Sequence, residues 1–214
     1  MVFNSCQHAP YVLPVDQRTG DPSICFERDV LPIFTTNCAK SGCHDGASHS
    51  EGAGWVFTNY DNITRKGVVP GNPMASKVYE AMTGESASKM PPEPNPALTQ
   101  AQLDIVYKWI ATGALNGTNC PSTCDTGTYS YSGAVRPLME TYCTGCHYTG
   151  AHAVAGVILD NFNGVQAAGA DSANLLGALR HSSGYVAMPQ GGSQLSDCQV
   201  TQIEKWIKNG MQND

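Results

Sequence analysis

The stretch Tyr142–Gly150 reads YCTGCHYTG, and a variant of it, NCAKSGCHDG, runs from Asn37 to Gly46. Each holds two cysteines with a histidine directly after the second. Two residues separate the thiols in the later copy and four in the earlier one. Whether the chain is one domain or two depends on these being copies of a single unit, and the flanking sequence says that they are. RDVLPIFTTNC, ending at Cys38, lies over GAVRPLMETYC, ending at Cys143, so that Val30, Pro32, Ile33 and Phe34 correspond to Val135, Pro137, Leu138 and Met139. NYDNI from Asn59 lies over NFNGV from Asn161. KMPPEPNPALTQAQLDIVYKWIATGA lies over AMPQGGSQLSDCQVTQIEKWIKNGM with one residue of slip. Internal self-similarity marks repeated structural units, here in the order helix, Cys-Cys-His, long loop, Met-Pro, helix.

The last helix of each unit has complete end signals. Thr99 with Gln102, and Ser196 with Gln199, have the spacing of a capping box, and Leu98 with Leu103, and Leu195 with Val200, that of a hydrophobic staple. Leu103, Val106 and Ile110, like Val200, Ile203 and Ile207, recur on one helical face, and Gly113 and Gly210 follow as stops. The first helix is shorter, with Pro32 or Pro137 in its first turn, where a missing N–H costs little. These signals place one domain at about 23–117 and another at about 125–214, joined by the turn-rich NGTNCPSTC. Residues 1–22 read as a tether.

A chain of 214 residues accommodates two domains of this size. With 14% charged residues, 22 glycines and 13 prolines it is loop-rich and globular. The net charge of −6 argues against nucleic acid, whose phosphates need basic patches. No stretch approaches the ~20 apolar residues of a membrane span.

Two thiols can add across the two vinyl groups of haem, and the imidazole of the next residue then falls beneath the ring, where it can bind iron. Cys143, Cys146 and His147 have the spacing of the c-type attachment motif. In Cys38, Cys43 and His44 the extra residues can loop outward while the sulfur positions stay the same, and Gly42 eases the turn. A zinc site needs four tetrahedral ligands, which adjacent Cys-His supplies poorly, and a dithiol redox motif wants a βαβ setting. The sixth iron position is expected from Met90 and Met188, which occur at equivalent places, each before a proline that stiffens the loop. Met74 and Met82 are rivals in the first unit without a counterpart in the second. His181, seven residues before Met188, is expected as a pocket or surface residue, and His8, His49 and His152 carry no functional reading.

Nine cysteines less four on haem leave Cys6, Cys25, Cys120, Cys124 and Cys198. VFNSCQHAP is similar to the end of a bacterial lipoprotein signal, with Cys6 as the lipidated residue; the competing reading is an incidental thiol.

The order helix, Cys-Cys-His, Met-Pro, capped helix with Trp resembles class I cytochrome c, and the tandem resembles a dihaem cytochrome of exported bacterial lipoproteins. The resemblance covers nearly everything from Cys25 onward. It implies a mostly α fold of two loop-rich cytochrome c-like domains packed around two covalent haems, with one ring edge of each open to solvent. It carries Cys143, Cys146, His147 and Met188 over directly, and Cys38, Cys43, His44 and Met90 with the widened gap. Trp109 and Trp206 are then expected in the core beside the haems. A Cys124–Cys198 bridge would brace the second unit and Cys25–Cys120 the first, with Cys120–Cys124 as the open alternative.

A His/Met iron has both axial positions filled, which favours electron transfer between redox proteins outside the cytoplasm, in the periplasm or at the cell surface. The rival classes are a dihaem peroxidase, which needs an open iron position, and a haem-bearing subunit of a filament or respiratory complex.

Overall fold

The computed structural model describes residues 24–46, 54–84, 89–118, 120, 124–150 and 156–214. The tether at 1–22, with Cys6 and His8, lies outside these residues, as do His49 and His152. The fold is mostly helical, with no strand among the described residues. The α-helices are α1 (Leu31–Asn37), α2 (Tyr60–Thr64), α3 (Lys77–Thr83), α4 (Gln100–Ala111), α5 (Arg136–Tyr142), α6 (Phe162–Ala170), α7 (Ser172–Leu179) and α8 (Asp197–Lys208). No helix among the described residues is long and apolar enough to cross a membrane.

Two hydrophobic cores form, one from Phe26 to Ala114 and one from Tyr131 to Trp206. Each is centred on the indole of its last helix. Trp109 and Trp206 are both 2% exposed, which at 150–250 Å² of buried area amounts to roughly 4–6 kcal/mol of transfer free energy apiece. Each indole N–H is satisfied by a backbone carbonyl six residues on, Leu115 at 3.0 Å and Gln212 at 2.8 Å. The rings around them also correspond. Phe26 tilts against Trp109 and meets Tyr60 edge-on, as Tyr131 tilts against Trp206 and meets Phe162 edge-on.

The end signals of α4 and α8 act as expected. Both capping boxes are complete, and Gly113 and Gly210 follow in the left-handed region at φ +105° and +85°. Leu98 and Leu103 join the first core, Leu195 and Val200 the second.

Pro32 and Pro137 stand in the first turn of α1 and α5, as expected. Two features differ from the expectation. A single π turn precedes each of these helices, Phe26–Val30 and Tyr131–Val135. Leu31 N–H reaches back to Phe26 O and Arg136 N–H to Tyr131 O. The wider turn lets the chain enter the helix in spite of a proline that brings no N–H. The stretches read as long loops also contain helices: α2 and α3 in the first unit, α6 and α7 in the second. Asn59 and Asn161 cap α2 and α6 by accepting from Asn62 N–H and Gly164 N–H, both at 2.9 Å.

Disulfides join Cys25 to Cys120 and Cys124 to Cys198, each with Cα atoms 6.1 Å apart. Each fastens the start of a unit near its last helix or the segment just beyond. Cys120–Cys124, the alternative, is not formed.

The units meet through α1 and α5, and both capping-box glutamines take part. Gln102 uses Oε1 to accept from Thr99 N–H and Nε2 to donate to Glu140 O, 2.7 Å away in the second unit. Gln199 accepts from Ser196 N–H and donates to the Tyr142 hydroxyl at 3.1 Å, which in turn donates to Arg28 O at 3.3 Å. Glutamine rather than glutamate at these positions thus supplies a donor that the cap itself does not need.

Candidate functional site

Helices α1 and α5 end at the first cysteine of each motif, and the next residues turn back over the helix end. Cys38 N–H and Ala39 N–H both reach Phe34 O; Cys143 N–H and Thr144 N–H both reach Met139 O. The histidine closes each turn by donating its N–H to the first cysteine's carbonyl: His44 to Cys38 at 3.1 Å and His147 to Cys143 at 2.9 Å. The gap of four and the gap of two therefore end in the same closure, and the extra residues form an inner turn, Cys43 N–H to Lys40 O at 2.9 Å. They do not all loop outward. Ser41 is exposed, whereas Lys40 is half-buried.

Cys38, Cys43, Cys143 and Cys146 are free thiols, although each pair lies within one turn. Burial pushes Cys38 and Cys143 up to about 12. These two sulfurs are therefore held as neutral thiols at neutral pH.

The two histidines are oriented by equivalent backbone atoms. His44 Nδ1 lies 3.0 Å from Trp55 O, and His147 Nδ1 lies 3.3 Å from Val157 O. A carbonyl can only accept, so Nδ1 carries the proton and Nε2 is left with its lone pair. The strand of chain after each carbonyl returns to the same histidine, Phe57 N–H to His44 O and Leu159 N–H to His147 O, both at 2.9 Å. The His44 ring packs on Phe57 with centroids 4.6 Å apart.

The methionine loops are also tethered alike. Met90 N–H donates to Ala81 O of α3 at 2.9 Å, and Met188 N–H donates to Ala178 O of α7 at 3.1 Å. Both side chains are half-buried. Of their rivals, Met74 is 61% exposed and Met82 sits in the first core. His181 adopts φ +50° and places Nε2 3.1 Å from Met188 O, so it braces the second methionine loop. Its place seven residues before Met188 was visible, but this contact was not.

Between the units lies a cleft of about 300 Å³ with Arg28, Thr35, Tyr142, Gly192 and Gln199 in its wall. None of the eight attachment or axial candidates lines it.

The donor set fits what covalent haem asks of a protein. Two thiols and an imidazole with a free Nε2 are held on one turn, and the carbonyl behind the ring fixes its tautomer and orientation, as the partners of metal-bound histidines do. Both units meet this requirement with different side chains on the same backbone tethers. No protein-family model, no curated protein and no solved structure matches the chain.

Proposed function

We propose that the chain is an electron carrier, a dihaem c-type cytochrome whose two units, about 23–117 and 125–214, are tandem class I cytochrome c-like domains. Cys38, Cys43 and His44 with Met90 would hold one haem, and Cys143, Cys146 and His147 with Met188 the other. A haem so held supplies a one-electron iron couple, whose potential the thioether ligand raises. The observation that carries the reading is the doubled set of tethers: His Nδ1 on the Trp55 or Val157 carbonyl and Met N–H on the Ala81 or Ala178 carbonyl.

The chain's own part is to keep the site unchanged as the electron comes and goes. His44 and His147 are fixed by two backbone hydrogen bonds each, and the proline after each methionine stiffens its loop. Neither ligand then has to move. The two disulfides are in keeping with work outside the cytoplasm, where redox proteins would serve as donor and acceptor and a lipidated Cys6 would tether the chain.

Intact mass and visible spectrum of the purified protein test this together. Two haems added covalently, with the sulfur-to-iron charge-transfer band in the oxidised form, are expected. A colourless protein with the mass of its amino acids alone would overturn the reading, and fast uptake of cyanide or carbon monoxide at one haem would replace electron transfer with an enzyme.

A further inference from the structure

The widened gap of the first motif carries a cation. Lys40 is its second residue, and its ammonium donates to Asn95 Oδ1 at 2.9 Å and stands 5.7 Å from the centre of the Tyr148 ring. Asn95 lies in the loop that follows Met90-Pro91, and Tyr148 directly follows His147. One side chain thus touches the methionine loop of its own unit and the attachment motif of the other.

The two motifs are close because their turns abut. Cys146 Sγ lies 4.0 Å from Thr36 O. A Cβ on Gly145 would run into Thr36 O and stand 2.8 Å from Thr36 Cγ2 and 2.9 Å from Asn37 Oδ1. Burial pushes the Lys40 ammonium below its ordinary value, and the sulfurs of Cys146, Cys43 and Cys38 oppose this, in that order. Among the described residues no carboxylate pairs with Lys40 in an ion pair. The thioethers that haem attachment would form carry no charge.

We propose that Lys40 is a shared electrostatic control on both haem sites, a positive charge held at the junction that biases both irons toward the reduced state. This rests on the dihaem reading above. Lys40 favours whichever state has the lower site charge, and an electron from a donor protein lowers that charge by one without making or breaking a bond.

The test is a spectroscopic redox titration of the purified holoprotein at fixed pH and ionic strength, on the parent and on Lys40→Met, Lys40→Gln and Lys40→Arg. In the Met and Gln variants the ferrous-to-ferric ratio at a given ambient potential should fall about three- to tenfold at both haems, tenfold being about 59 mV for a one-electron couple. The Arg variant, which keeps the charge, should stay close to the parent. Unchanged potentials in Met and Gln, a shift confined to one haem, or an equal shift in Arg would each overturn the proposal, the last by showing that packing rather than charge is responsible. Intact mass of the parent keeps the two failures apart. A parent without covalent haem sinks the dihaem reading before any variant is made, whereas a parent with two haems and unresponsive potentials sinks only the role of Lys40.

Discussion

Gly42 and Gly145 occupy the same place, directly before the second cysteine of a Cys-Cys-His motif, yet they are glycine for different reasons. Gly42 sits at φ +88° with nothing within 4 Å of where a Cβ would stand, so its backbone conformation is what excludes a side chain. Gly145 has no such conformation but lies against the Thr36 carbonyl of the other unit. The first turn is shaped by its own length, the second by its neighbour. Repetition of a motif therefore does not mean repetition of its constraints.

The widest test of the equivalence is removal of one motif at a time. Replacing both Cys143 and Cys146 by serine should leave a protein carrying one haem, and the same change at Cys38 and Cys43 should leave the other; intact mass and visible absorbance read both. If either pair can be lost without loss of a haem, the two motifs are not doing the same job.

Next come the disulfides. Replacing Cys25 and Cys120, or Cys124 and Cys198, by serine should each cost about 2–5 kcal/mol of unfolding free energy. Their sequence separations are 95 and 74, and loop length enters only logarithmically, so the two losses should differ by about 0.2 kcal/mol on chain-entropy grounds. Denaturant titration of both double variants measures this. A large inequality would show that one bridge also supports the junction.

The capping glutamines should separate the units more sharply. Gln102→Glu keeps an oxygen for the Thr99 N–H but turns the other toward the Glu140 carbonyl, two acceptors face to face at a buried site. A loss of about 1–3 kcal/mol is expected. Gln199→Glu faces a hydroxyl that can reverse and donate, giving up only its bond to Arg28 O, so about 1 kcal/mol or less is expected. Equal losses in chemical denaturation would refute the distinct roles assigned to the two amides.

The glycines themselves give effects no larger than that of Gln102→Glu. Gly145→Ala should cost about 1–3 kcal/mol through crowding against Thr36, and Gly42→Ala about 1–2 kcal/mol through its left-handed backbone. Adding Thr36→Ser, which trims the Cγ2 contact, should recover part of the first loss and none of the second. Thermal unfolding of the single and paired variants decides it.

Much of the fold could be read in advance where the cause is local. The boxes at Thr99 and Ser196 and the stops at Gly113 and Gly210 need only residues within one turn of each other. The helices α2, α3, α6 and α7 are hard to read from sequence because they are short and, in α6 and α7, because Gly164, Gly169 and Gly177 interrupt any apolar stripe. The π turns carry no sequence signal of their own, because a proline at position 32 or 137 marks a helix start whether or not a wider turn precedes it. At the site, cysteine, histidine and methionine candidates were legible by type and spacing. The groups that orient them were not. The Trp55, Val157, Ala81 and Ala178 contacts are carbonyl oxygens, which every residue possesses and no letter of the sequence distinguishes.

What the amino-acid order decided by itself was the repeat, the capped last helices and the candidate ligands, because each depends on residue chemistry at short range. The disulfide pairing, the tautomers of His44 and His147, and the meeting of Lys40 with Tyr148 and of Gln102 with Glu140 were decided only in three dimensions. They join positions from 10 to 108 residues apart, and which such groups come within hydrogen-bonding reach is settled by how the helices pack.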